Sequence, residues 1–253
     1  MRTKLLIQLI RNEFKSCGLF CFILLCFYTQ NTQSQDRNSI LAFNFGSSVP
    51  VGMFASTLDS DDSPGYAMTG LTSDLTYSAA FEKKPLFGYS ISLIAQSHLF
   101  NQDQYQKDLL SSVSNVDVDV DVFAGSWNCF GFLSGPVLNL KVSDKLTINP
   151  IIQGGYFFVS SPRLSIIVSN AFDYQSLVQE SNTTLAPALS IGLGLSSKLT
   201  DRLVIFGKCE FQNCSPSFEN VRLENLSTGY SDNYDFIQPM SVFNFKTGLG
   251  FLF

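Results

Sequence analysis

From Ser39 onward, large apolar side chains alternate with small or polar ones, and the alternation stops and restarts until it has produced eight segments. A period of two belongs to strands with unlike faces. The segments fall at about 39–47, 66–83, 86–99, 122–143, 145–159, 184–199, 201–213 and 239–253. Three of the links are tight, around Lys83-Lys84-Pro85, Ser143-Asp144-Lys145 and Thr200-Asp201-Arg202. The other four are long, at about 48–65, 100–121, 160–183 and 214–238, so short and long links alternate strictly. A sheet wound up and down, with turns at one rim and loops at the other, has this signature. The pattern predicts an all-β chain: an eight-stranded antiparallel up-and-down transmembrane β-barrel, preceded by a cleaved signal peptide.

Parity divides each segment into two faces. In the last one, Phe243, Phe245, Thr247, Leu249, Phe251 and Phe253 share one side, with Asn244, Lys246, Gly248 and Gly250 on the other. Charge falls on the small face: Asp74, Glu82, Lys141, Lys208, Glu210 and Lys246. A lysine turned into lipid at the midplane costs about 2–4 kcal/mol, so a membrane barrel must turn this face inward. A soluble barrel would do the reverse. The small face is rich in Gly, Ala and Ser, which suits the narrow lumen of eight strands and makes a poor soluble surface. Aromatics near segment ends (Phe43, Phe45, Phe81, Phe87, Trp127, Tyr156, Phe157 and Phe158) suggest interfacial girdles.

Residues 1–35 read as a secretory signal peptide, with 36–253 as the mature barrel domain. Arg2, Lys4, Arg11 and Lys15 lead into the apolar run Cys17–Tyr28, followed by a small polar stretch suited to cleavage near Ser34 or Gln35. The whole chain carries 16 basic and 21 acidic residues, and loss of the leader makes it more acidic. That balance argues against nucleic-acid binding. Of six cysteines, Cys129, Cys209 and Cys214 remain after cleavage. A Cys209–Cys214 bridge and two free thiols are both open readings. His98 is the one histidine, and no cluster has zinc spacing.

The run Phe245-Lys246-Thr247-Gly248-Leu249-Gly250-Phe251-Leu252-Phe253 resembles the closing strand of small bacterial outer-membrane β-barrel proteins. Gly135-Pro136-Val137-Leu138-Asn139-Leu140, with Asn149-Pro150-Ile151-Ile152-Gln153-Gly154-Gly155-Tyr156, is similar to the PorT-type barrels of Bacteroidetes, within the broader porin family. The resemblance implies Sec export, residence in outer-membrane lipid, and handling by the barrel assembly machinery, with Phe251 and Phe253 as terminal aromatics. It also implies an envelope or secretion partner, type IX secretion among the candidates.

No residue is assigned a catalytic, cofactor or metal-binding role. The six lumen charges are expected to form a structural ion-pair core. The acidic loops, including Asp59, Asp61, Asp62 and the Val-Asp repeat Val116–Val122, read as a solvated external surface, with the repeat taken as the fourth strand projecting beyond the membrane. Loops two and four are expected to be mobile. The leading function is non-enzymatic: structural, adhesive or docking. Two alternatives differ in class, an outer-membrane lipid-modifying enzyme using His98 and a soluble lipocalin-like carrier.

Overall fold

Strands account for most of the chain because β-branched and aromatic residues alternate with small ones, and a pleated sheet is where such sequences bury one face. The computed structural model describes residues 39–57, 63–112, 118–170 and 174–253; the leader expected at 1–35 lies outside them. In chain order the strands are β1 (Ser39–Val51), β2 (Gly70–Phe81), β3 (Lys84–Leu99), β4 (Asp119–Ala124), β5 (Ser126–Leu138), β6 (Leu140–Lys141), β7 (Leu146–Ser160), β8 (Leu164–Ser169), β9 (Tyr174–Gln179), β10 (Thr183–Lys198), β11 (Leu203–Cys214), β12 (Ser217–Asn225), β13 (Tyr230–Ile237) and β14 (Met240–Leu252). The one α-helix among the described residues, α1 (Gln102–Ser112), follows β3, and a short 3-10 turn covers Gly52–Phe54. No helix among the described residues is long and apolar enough to cross a membrane, which says nothing of crossing by strands.

Eight strands close a barrel. The order is β10-β11-β14-β1-β2-β3-β5-β7, and β7 pairs back onto β10. Every neighbouring pair is antiparallel. These are the eight segments read from the sequence. The short β6 continues β5 beyond Asn139 and pairs with β7. The chain closes where β1 meets β14, from Ile40 opposite Leu252 to Val51 opposite Ser241.

The faces settle inside and outside. Phe43, Phe45, Leu71, Phe130, Phe158, Leu189, Phe245 and Phe251 are each half or more exposed. Their neighbours Ala42, Asn44, Thr72, Asp74, Gln153, Ser190 and Asn244 are buried. The large apolar face therefore points outward all round. A soluble lipocalin-like carrier needs it inward, so the exterior does not favour that reading. Two aromatics assigned to girdles face inward instead: Trp127 and Phe157 are buried. Phe157 lies between outward Tyr156 and Phe158, and its ring covers Gly131 on the neighbouring strand, where any Cβ would collide with it.

The long links fold as well. A second sheet runs β13-β12-β9-β8-β4. It takes β4 from the second long link, β8 and β9 from the third, and β12 and β13 from the fourth. The described part of the Val-Asp repeat, within β4, carries the barrel strand β5 on beyond the barrel, pairing with β8 in the same register that β5 keeps with β7. Gly125 interrupts the strand between β4 and β5 without shifting that register, its N–H donating to the Arg163 carbonyl at 2.8 Å. Above Gly125 the covered face changes: Val120 and Val122 are buried while Asp119 and Asp121 are exposed. Asp59, Asp61, Asp62 and Asp117 lie outside the described residues.

The turn rim is simpler. Glu82, Lys83 and Lys84 join β2 to β3; Lys141, Asp144 and Lys145 flank the link from β6 to β7; Lys198, Asp201 and Arg202 flank the link from β10 to β11. All nine side chains are exposed.

Candidate functional site

The barrel interior holds the polar chemistry, on two levels. The lower level is an ion-pair network built by β2, β11 and β14. Lys246 on β14 pairs with both Asp74 and Glu210. Lys208 pairs with Glu210 at 2.9 Å and approaches Asp74 at 3.8 Å. Parity places these groups together: Lys208 and Lys246 are opposite one another across β11 and β14, and Gly46 lies opposite Lys246 on β1, where a Cβ would run into the β14 backbone. The four side chains are almost completely buried and their formal charges cancel. Such a group is tolerable only when every charge has a partner, since removing one leaves another desolvated.

Neutral groups extend the network across the lumen. Asn44 donates to Asp74 Oδ1 at 2.7 Å, as does Thr76. The Thr76 and Ser92 hydroxyls are 3.0 Å apart. Gln153, reaching in from β7, donates to Ser90 at 3.3 Å and Ser92 at 3.1 Å. Gln96 on β3 donates to Gln212 at 2.5 Å and Asn244 at 3.3 Å. Bonds between strands far apart in the sheet order bridge the lumen from wall to wall. Toward the turn rim they border a cavity of about 40 Å³, lined by Asn139, Asn149 and Lys208 together with Ile40, Ile151 and Phe206, large enough to admit a water.

Glu82 and Lys141 do not join this network. They share the parity of the lumen face, but Glu82 is in the β2–β3 turn and Lys141 lies beyond the strand break at Asn139, and both are exposed to solvent at the rim. Parity loses its meaning where a strand ends. Phe251 and Phe253, the terminal aromatics, point outward at the same rim.

The upper level is apolar. Phe54, Trp127, Phe218, Val221, Met240 and Val242 form one buried cluster with Cys129 and Cys214. Gly52 turns the chain into this cap with φ +60, a left-handed conformation suited to glycine, and so delivers Phe54 inward. Phe54 meets Trp127 edge-on at 5.8 Å, Trp127 lies 6.0 Å from Phe218, and Phe218 stacks on Phe236 of β13 at 4.8 Å. The Trp127 indole N–H donates to the Gly65 carbonyl at 3.0 Å. The loop sheet is thus fastened to the barrel through aromatic rings.

His98 lies between the two levels and is fully buried. Its Nδ1 lies 3.1 Å from the Met68 carbonyl, and Phe54 packs edge-on 5.2 Å away. An Nδ1–H donating to that carbonyl leaves Nε2 without a hydrogen-bond partner. Hydrolytic or acyl-transfer use requires a nucleophile on one side of the ring and an orienting carboxylate on the other. Neither is in place: Nδ1 faces the Met68 carbonyl, and no hydrogen-bond partner reaches Nε2. Among the described residues no three His, Cys, Asp or Glu side chains converge as a metal site. Cys209 faces outward while Cys129 and Cys214 are buried, and all three are free. Cys209 and Cys214 share a strand but point to opposite faces, which excludes a bridge between them.

The class this geometry defines is the closed eight-stranded antiparallel barrel with an apolar exterior. No protein-family model matches the chain, and no curated relative does. Among solved structures, it is similar to a major outer membrane protein from Thermus thermophilus, at 12% identity over 85% of this chain and 99% of that one, with a TM-score of 0.47. It is also similar to Ail, the attachment invasion locus protein of Yersinia pestis, at 15% identity over 87% and 100%, with a TM-score of 0.40. The outer membrane protease OmpT from Escherichia coli matches at 9% identity over 88% and 99%, with a TM-score of 0.35. Likeness at this level concerns the path of the chain and nothing of what those proteins bind or cleave.

Proposed function

We propose that the protein is a non-enzymatic integral barrel of a bacterial outer membrane, exported with its leader removed. Its closed lumen would hold up an external sheet with a structural, adhesive or docking role. The observation that carries this reading is the continuous belt of exposed large apolar side chains around a barrel with no open edge. In water such a surface would far exceed the few hundred Å² of contiguous apolar patch that soluble monomers tolerate. In lipid it is the expected exterior, because closure satisfies every strand's backbone. The ion pairs and wall-to-wall hydrogen bonds favour a strut over a conduit. The buried, carbonyl-bound His98 favours no lipid-modifying chemistry.

Outer-membrane lipid and the barrel assembly machinery would be the partners during biogenesis, with Phe251 and Phe253 presented to the latter. The PorT-type resemblance adds a finer reading, docking with envelope or secretion machinery through the external sheet. It rests on the segments around Gly135–Leu140 and Asn149–Tyr156 alone. Carbonate extraction of membranes, with gel migration compared before and after boiling, tests the barrel reading. The protein is expected to stay in the pellet and to change mobility on boiling. Release into the soluble fraction with no mobility change would sink it.

A further inference from the structure

The charges of the structure are segregated. The lumen network is neutral, and the loop end is acidic, with Asp119, Asp121, Glu219, Asp232 and Asp235 exposed. The turn rim is the reverse: six basic side chains, Lys83, Lys84, Lys141, Lys145, Lys198 and Arg202, against Glu82, Asp144 and Asp201. None of the six basic groups takes part in the ion pairs formed among the described residues.

Their placement says what they meet. Each lies within a few residues of an outward apolar side chain at the edge of the belt. Phe81 and Leu86 bracket Lys83 and Lys84, Leu140 and Val142 bracket Lys141, and Leu199 follows Lys198; all five apolar residues are exposed. A flexible basic side chain beside an apolar wall lays its stem on that wall and carries its charge to the polar boundary. The turns are too short to project, so the charges stay level with the belt's edge. They lie on the β2–β3, β6–β7 and β10–β11 links, hairpins that take in six of the eight barrel strands and leave only the β14–β1 side without one. A ligand that can meet so wide an arc of the rim at once is the lipid leaflet itself.

We propose that the turn rim is a collar for anionic phospholipid head groups, the basic side chains gripping phosphodiesters of the leaflet in which the turns lie. The inference rests on the membrane reading above and adds to it a lipid preference and an orientation: the turns face an anionic leaflet, and the acidic loops face away from it. Each engaged basic group at such a surface favours anionic lipid by roughly fivefold, an effect that salt screens.

Native mass spectrometry of the full protein, in micelles holding equal amounts of phosphatidylglycerol and phosphatidylcholine, tests the collar. Retained lipid is expected to favour phosphatidylglycerol by roughly fivefold or more. The preference should fall to parity in high salt and in the combined variant K83Q/K84Q/K141Q/K145Q/K198Q/R202Q. It should survive when the lysines become arginines and Arg202 becomes lysine. Equal retention of both lipids by the unaltered protein would overturn the proposal, as would a preference untouched by the glutamine set. So would a preference abolished by inorganic phosphate at the concentration of the lipid, which would mark a site for free anion. Mobility change on boiling after reconstitution into phosphatidylcholine vesicles alone reports whether the barrel inserts at all. A failure there strikes the membrane reading, and success there with no lipid preference strikes only the collar.

Discussion

The two levels of the interior solve one problem in opposite ways. Below, β2, β11 and β14 fill the lumen with four charges and a layer of amides and hydroxyls. Above, the loop ends of β5, β11 and β14 join the links in filling it with Phe54, Trp127, Phe218 and Met240. The lower level is held by strands alone, whose registers are fixed by pairing, so it can place charged atoms accurately enough to satisfy one another. The upper level must accept chain from four long links. Apolar contact is forgiving in direction, so segments of unrelated origin can share one core. Polar filling goes where geometry is set by the sheet, and apolar filling where the chain must be gathered in.

If that contrast is right, the largest effect will come from breaking the charge balance. Lys246→Met leaves Asp74 and Glu210 with Lys208 as their one cation, and is expected to destabilise the barrel by about 3–5 kcal/mol, read as a lowered midpoint for mobility change on heating. Replacing Asp74, Lys208, Glu210 and Lys246 together by apolar residues of similar volume should recover most of that loss, because no uncompensated charge remains. A quadruple variant as unstable as the single one would show that the network does more than balance itself. Next in size, Phe218→Ala should cost about 3 kcal/mol but in a different place. Proteolysis of the loop sheet should rise sharply, while the heating midpoint of the barrel moves less. Equal loss in both measurements would erase the distinction between levels. Gln96→Leu removes the donor to Gln212 and Asn244 and should cost about 1–2 kcal/mol. Smallest of all, Glu82→Gln with Lys141→Gln at the solvated rim should leave stability within about 0.5 kcal/mol.

These levels were not equally legible in the sequence. Strand count, the alternation of turns and loops, and the buried places of Asp74, Lys208, Glu210 and Lys246 follow from periodicity and parity, because a strand's faces are set locally. Glu82 and Lys141 share that parity but lie past the strands' ends, where faces cease to exist. Asn44, Gln96, Gln153, Gln212 and Asn244 were visible on the small face, and a search limited to charged residues passes over them. Phe157 and Trp127 also had inward parity, which composition near strand ends obscured. The second sheet was not legible. Its β8–β9 and β12–β13 pairs form within single links, and all its pairings carry on the registers of the barrel strands below, apart from a bulge in β12; a link's length alone does not state that its ends run on as paired strand.

That stitching determines how the protein would look to an immune system. The outward face of the loop sheet draws on three separate stretches of chain, held in register by pairings such as Asp121 with Ile167 and Leu223 with Gln179. An antibody raised against the folded protein will read a discontinuous epitope. A peptide copied from any single loop will present only part of it, without the strands that the other loops contribute.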